Sequence, residues 1–247
     1  MSPQAAGLSR TPYAPALAMP TGRGECPGRR EGRTLVQWTL VIPLKPLARA
    51  KSRLADTAGD GVRPGLALAF AQDTVAAALA SAAVAGVAVV TDDAVAGREL
   101  AALGARIVPD APGAGLNAAL AHGATAVRAG RPGSAVAALN ADLPALRPLE
   151  LARVLAAAAE FPRAFLADAA GVGTTLLAAG PAHELRPAFG GPSRARHRAS
   201  GARELDLDAV DSVRQDVDTG ADLRTALALG VGPRTAAAAA RLLIPEQ

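Results

Sequence analysis

From Thr34 to Leu229 the chain switches repeatedly between two hydrophobic periods, and this alternation constrains its fold more than any other feature. Short apolar runs at Leu35–Leu44, Gly86–Val90, Ala105–Val108, Ser134–Leu139, Arg163–Ala167, Thr174–Ala179 and Val210–Val217 read as buried strands. Between and after them, Arg63–Ala83, Ala94–Leu103, Gly115–Ala129, Pro148–Glu160, Ser193–Ser200 and Gly220–Leu229 carry helical patterns. The last helix opens on Thr219 with Asp222 three residues on, a capping-box variant. Strands alternating with helices imply βαβ units, hence an α/β, three-layer fold with a mainly parallel sheet. Ligands of such sheets bind outside the carboxyl ends of the strands, so the residues just past each strand are where chemistry is sought.

Residues 1–33 are rich in Pro, Gly and Arg with no apolar period and read as a disordered basic tail. Residues 34–235 read as one α/β domain and residues 236–247 as a C-terminal tail. A net charge of +4 and an isoelectric point of about 10.1 point at first to nucleic acid. Five arginines against two glutamates in residues 1–34 supply +3 of that charge and leave +1 for the rest. That is no footprint for a phosphate backbone, and a single Trp and a single Tyr leave few stacking platforms. No nucleic-acid partner is expected. Cys26 stands alone, which excludes a disulfide framework and a cysteine zinc site. No apolar run reaches the roughly 18 residues of a membrane span, so a cytoplasmic protein with no membrane partner is expected.

Of 26 basic residues only Lys45 and Lys51 are lysine, and Asn117 and Asn140 are the only asparagines. In an Ala- and Arg-heavy chain, residue types kept this scarce tend to mark positions where their chemistry is used. Lys45, Arg49, Lys51 and Arg53 follow the first strand. Ammonium and guanidinium groups there suit a polyphosphate, and the bland alternative is a solvated basic loop. No G-x-x-x-x-G-K-[ST] or G-x-G-x-x-G accompanies them, so a P-loop is excluded.

Asp142 sits just past the strand ending near Asn140, as a hard oxygen ligand for Mg²⁺ or as a turn residue before Pro144. Asp216 and Asp218 would project together from a strand and repel unless they share a cation; otherwise they form an acidic helix start. Gly171-Val172-Gly173 and Phe189-Gly190-Gly191-Pro192-Ser193 are small-residue loops whose N–H groups can approach an anion, though each alone is more often a turn. Asn117, at a helix start, can pair with a nucleobase edge, and His197 is placed to face the Ser193 loop. Glu204, Asp206 and Asp208 alternate with leucines and read as an exposed strand face.

Four segments occur in order: Pro43-x-Lys45 with Ala50-Lys51-Ser52-Arg53-Leu54, Asn140-Ala141-Asp142-Leu143-Pro144, Phe189-Gly190-x-x-Ser193, and Asp216-Val217-Asp218-Thr219. Together they resemble the phospholactate/phosphoenolpyruvate guanylyltransferases of coenzyme F-420 biosynthesis, over about residues 36–230. The resemblance implies a nucleotide-diphospho-sugar-transferase-like fold and GMP transfer from GTP to phosphoenolpyruvate. It implies Mg²⁺ on Asp142, Asp216 and Asp218, and catalytic cations Lys45, Lys51 and Arg53 on the triphosphate. It also implies an acceptor phosphate cradled by Thr175, Gly190 and Ser193. The partners are then GTP and a small phosphoacid, with a homo-oligomer left open. 2-Phospho-L-lactate is the alternative acceptor. A nucleotidyltransferase of the same fold acting on a sugar phosphate or molybdopterin is the nearer rival, and a non-catalytic RNA-binding or regulatory protein the distant one.

Overall fold

The computed structural model describes residues 36–49 and 55–242; Lys51, Arg53 and the expected basic tail lie outside them. Contacts divide the chain between Thr34 and Leu35, and the second unit carries the fold. Seven strands form one sheet: β1 (Trp38–Pro43), β2 (Val84–Val90), β3 (Arg106–Val108), β4 (Ala135–Leu139), β5 (Arg163–Ala167), β6 (Thr174–Ala179) and β7 (Arg203–Glu204). Their order is β3-β2-β1-β4-β6-β5-β7. β1 pairs in parallel with β2 and β4, β2 with β3, and β5 with β7; β6 runs antiparallel to both β4 and β5. The expected three-layer, mainly parallel α/β architecture is the one observed.

Both faces of the central strands are buried, which is why these strands read as continuous apolar runs. On β1, Trp38, Leu40 and Ile42 enter one core with α1 (Ala55–Leu79), α2 (Ala94–Ala102) and α4 (Pro148–Ala158). Val41 points to the other core, beneath α3 (Leu116–Gly130). Gly123 lets α3 lie close to the sheet, because a Cβ there would sit 2.6 Å from side-chain methyls of both Val41 and Val90. The Ala-rich strand β4 serves the same purpose, trading bulk for close helix–sheet approach.

Two expectations need correction. Val210–Val217 is not a strand: α6 (Asp211–Arg214) occupies its middle, and residues 215–217 run on without regular structure. Val210 and Val213, three apart across a single helical turn, are buried in the first core, whereas Val217 packs separately with Leu66 and Phe70. Glu150 secures the turn by accepting both the N–H and the hydroxyl of Ser212 at 2.9 and 2.7 Å. Nor do residues 236–247 begin as a tail, since α8 (Pro233–Leu242) follows α5 (Ser193–Ala199) and α7 (Gly220–Leu229) and packs on α1. Asp73 of α1, only 4% exposed, takes the N–H groups of Thr235 at 2.7 Å and Arg234 at 3.3 Å. Pro233 at the helix start followed by alanines was the available signal.

Candidate active site

A cleft of about 540 Å³ opens at the carboxyl ends of β1 and β4, where the reversed β6 begins. Its first wall is the turn after β1. Leu44 extends the sheet by donating to the Val90 carbonyl at 2.9 Å, and a 3₁₀ turn (Leu47–Arg49) follows. Asp93 fixes that turn. One carboxylate oxygen caps α2 through Val95 and Ala96 N–H at 3.0 Å each, and the other accepts Leu47 N–H at 2.9 Å. The hydrogen bonds from Ala96 and then Leu47 hold its carboxyl below the usual carboxylate range. Lys45 and Arg49 are thereby presented, exposed, on the cleft wall.

The second wall carries the aspartates. The turn after β4 is locked by Thr74 of α1, whose hydroxyl accepts Leu143 N–H at 3.0 Å. Val217 N–H donates to the Asp142 carbonyl at 3.1 Å, and Asn140 Nδ2 donates to Asp216 Oδ2 at 3.3 Å. These bonds draw residues 76 positions apart together, so Asp142, Asp216 and Asp218 line one cleft. Among the described residues, however, no three His, Cys, Asp or Glu side chains form a metal-holding group. The expected three-aspartate cage is instead an open wall of hard oxygen donors. Such a donor set fits Mg²⁺, which commonly binds through one or two carboxylates and completes its shell with water and substrate phosphate. Asp218 stands just before the expected capping box, which is present: Thr219 Oγ1 accepts Asp222 N–H at 3.3 Å and Asp222 Oδ2 accepts Thr219 N–H at 2.8 Å.

The third wall is the β5–β6 turn with the Phe189–Ser193 loop. Asp168, missed by the sequence reading, accepts Val172 N–H at 2.9 Å and Gly173 N–H at 2.8 Å. The expected anion-binding amides of that loop are therefore already taken by a carboxylate. Glycine at 173 leaves room for this carboxylate, because a Cβ there would lie 2.3 Å from Asp168 Oδ2 and push it aside. An aspartate leaving a strand before a glycine-rich turn is the signal that could have found it.

Asn117 does not offer its amide to a base here. Its Oδ1 accepts Phe189 N–H at 2.7 Å and its Nδ2 donates to the Phe189 carbonyl at 3.1 Å, so it clamps the loop. Gly190 and Gly191 follow at φ +90° and +46°, a left-handed path that favours glycine. Both line the cleft with Ser193, but Ser193 N–H donates back to the Gly191 carbonyl at 2.7 Å. Its hydroxyl, not its amide, is what remains for a ligand. Thr174 lines the cleft, whereas Thr175 is fully buried behind it, its hydroxyl without a hydrogen-bond partner. His197 does face this loop, fully buried, with Nε2 3.0 Å from Ala188 N and Nδ1 2.9 Å from Thr174 Oγ1. Burial first, then repulsion from Arg163 and Arg196, pushes its pKa down to about 4.

A larger hollow of about 1190 Å³ lies beyond Asp168, rimmed by arginines. Those side chains already have partners. Glu204, expected as an exposed strand residue, is half-buried and bonded by Arg194 at 2.8 Å and by Arg198. Burial pushes its carboxyl up, but the hydrogen bonds from Arg198 and Arg194 outweigh this and hold it below the ordinary value. Arg214 donates to the Ala167 carbonyl at 2.9 Å. The smaller cleft collects the residues marked by the sequence and is the candidate active site.

The chain is similar to a phosphoenolpyruvate guanylyltransferase of Streptomyces avermitilis, 83% identical over 85% of this chain and 97% of that protein. Among solved structures it resembles a Methanothermobacter nucleotidyl transferase, with TM-score 0.57 and 22% identity over 78% of this chain and 97% of that one. It also resembles a nucleotide-diphospho-sugar transferase from Desulfovibrio desulfuricans G20, with TM-score 0.53 and 16% identity over 78% and 96% of the two chains. These two likenesses bear on the fold alone. The guanylyl transferase CofC-like family matches residues 38–239, a stretch holding every strand of the sheet and all three walls of the cleft, and to that family the chain belongs.

Proposed function

We propose that the protein transfers GMP from GTP to phosphoenolpyruvate, giving enolpyruvoyl-diphospho-guanosine and pyrophosphate on the route to the deazaflavin coenzyme F-420. The observation that carries this reading is the convergence of three walls on one cleft: cations after β1, aspartates after β4 and α6, and a clamped small-residue loop before α5. A phosphate oxygen of the acceptor attacks the α-phosphorus of GTP, forming a new P–O bond as the bond to the β-phosphate oxygen breaks. No covalent protein nucleophile is needed; positioning and charge neutralisation supply the catalysis.

Lys45 and Arg49, joined by Lys51 and Arg53, receive the triphosphate and steady the departing pyrophosphate. One or two of Asp142, Asp216 and Asp218 would hold a divalent cation, Mg²⁺ on the chemistry of hard oxygen ligands, which would supply neutralisation of phosphate charge. Gly190 and the Ser193 hydroxyl line the cleft and cradle the acceptor, with Thr175 buried beneath them at the start of β6. Asn117 serves the acceptor loop through Phe189. A cytoplasmic location is part of this proposal; among the described residues no helix is long and apolar enough to cross a membrane. Pyrophosphate release, measured with each NTP against phosphoenolpyruvate and 2-phospho-L-lactate in Mg²⁺, tests the reading. GTP with phosphoenolpyruvate is expected to be the productive pair; release with another pair alone overturns it.

A further inference from the structure

Beyond the loop and the buried Thr175, we propose that Thr174 donates a hydrogen bond to an oxyanion of the acceptor substrate, and that His197 is the positioning residue that fixes the direction of that bond. The inference rests on the acceptor lying at the start of β6, as in the proposed function.

Ala188 N–H lies 3.0 Å from His197 Nε2, and a backbone N–H only donates, so Nε2 is an acceptor and carries no proton. A neutral imidazole then bears its single proton on Nδ1. Nδ1 is 2.9 Å from Thr174 Oγ1, so the imidazole donates and the hydroxyl accepts. The ring cannot turn over freely: it is fully buried, with ring centroids of Phe189 at 5.0 Å and Phe165 at 5.7 Å. Thr174 Oγ1 has no other hydrogen-bond partner among the described residues, and Thr174 lines the cleft beside Gly190 and Ser193. With one lone pair engaged by the imidazole N–H, the hydroxyl keeps its own proton to donate into the cleft.

Thr175, next in sequence, lies apart from the cleft. The β5–β6 ladder slips between Leu166 and Ala167, passing from Leu176 to Thr174 and skipping Thr175. Thr175 contributes a fully buried hydroxyl with no partner at the same strand start. The Thr174 hydroxyl, set as a donor, suits a fully ionised carboxylate or phosphate oxygen, which only accepts. A ligand group that only donates, such as an amide N–H, gains nothing from the Thr174 proton, so the site favours an acceptor that places an oxyanion there.

The test is steady-state kinetics on the full chain. Wild-type turnover with GTP and phosphoenolpyruvate is measured first; if another phosphoacid proves to be the acceptor, that reading fails and the same comparison is made with the active acid. Thr174→Val should raise the acceptor KM about ten- to hundredfold, the loss of a hydrogen bond to a charged group, with the GTP KM within about twofold. Thr174→Ser, which restores the hydroxyl, should return the acceptor KM to within about threefold of wild type. His197→Phe should also raise the acceptor KM, and the double variant Thr174→Val/His197→Phe should be no worse than the weaker single variant. That non-additivity separates a positioning role from packing alone. An unchanged acceptor KM in Thr174→Val, no rescue by Thr174→Ser, or an equal rise in both substrates' KM values overturns the proposal. If His197→Phe fails to fold, the two Thr174 variants decide it.

Discussion

Acid should destabilise this protein through His197 before most other groups respond. The folded imidazole is held neutral by burial and by Arg163 and Arg196, with a pKa of about 4, against 6.5 for the same group in water. Above pH 6.5 both folded and unfolded chains carry a neutral ring and the group contributes nothing to the pH dependence. As pH falls below 6.5 the unfolded chain binds a proton that the folded chain refuses. Stability then drops by about 1.4 kcal/mol per pH unit until the folded ring itself titrates near pH 4, a total of about 3 kcal/mol. Other groups move in the same direction: Asp93 and Glu204 have lowered folded pKa values, and their contributions are also lost as pH falls through them. The difference between wild type and His197→Phe isolates the histidine. Urea denaturation followed by circular dichroism at pH 7.5, 6, 5 and 4.5 should give converging curves, with wild type losing about 2–3 kcal/mol more than the variant across that span. Parallel pH slopes in the two proteins would refute the neutral, buried imidazole and the tautomer argument built on it.

Four further outcomes are expected. Asp142→Asn or Asp218→Asn keeps the side-chain size but removes an anionic oxygen donor, and turnover should fall on the order of a hundredfold with melting unchanged; wild-type rates at saturating Mg²⁺ would remove the metal role. Lys45→Ala should raise the GTP KM or slow transfer by about tenfold or more, because a charge-assisted phosphate contact of roughly 1.5–3 kcal/mol is lost; unchanged GTP kinetics would return the turn to a solvated loop. Gly190→Val forces a β-branched residue to φ +90° and should abolish acceptor binding while GTP affinity in calorimetry shifts by less than about threefold; equal loss of both ligands would mean general damage. Asp73→Ala strips two acceptors from the start of α8 and should cost about 2 kcal/mol in chemical denaturation, with kcat/KM unaltered in the folded fraction; unaltered stability would count against the α1–α8 clasp.

Local signals in the sequence located elements wherever a strand or helix is specified by its own residues. Ser134–Leu139 is apolar and bounded, and β4 spans Ala135–Leu139; Thr219 and Asp222 read as a cap and form one. Direction and partnership are different, since they are set by distant residues. Nothing within Thr174–Ala179 states that β6 runs against its neighbours, and the apolar run Val210–Val217 does not show that Val210 and Val213 go to one core and Val217 to another. The site followed the same division. Lys45, Asp142, Gly190 and Ser193 stand out in the sequence because their types are unusual just past a strand or before a helix, and all four line the cleft. Asn117 was marked for its scarcity but given the wrong partner, because its two bonds reach Phe189, 72 residues away. Asp168 and Thr174 went unmarked, since an aspartate in a turn and a threonine at the start of a strand are common until a partner gives them a task.

The clasp between Asp73 and Thr235 joins residues 162 apart, and this matters while the chain is still being made. At about 5–20 residues per second of synthesis, α1 emerges on the order of ten to thirty seconds before α8 can reach it. During that interval Asp73 stays hydrated, and Leu66 and Phe70, which the finished fold buries with Val217, Leu223 and Ala226, have no cover. The nascent domain thus carries an exposed apolar surface on its first helix until its last helices arrive. Substitutions in α7 or α8 should accordingly lower the yield of folded enzyme during synthesis, through capture of the waiting helix by chaperones or other chains, while leaving the molecules that do fold fully competent.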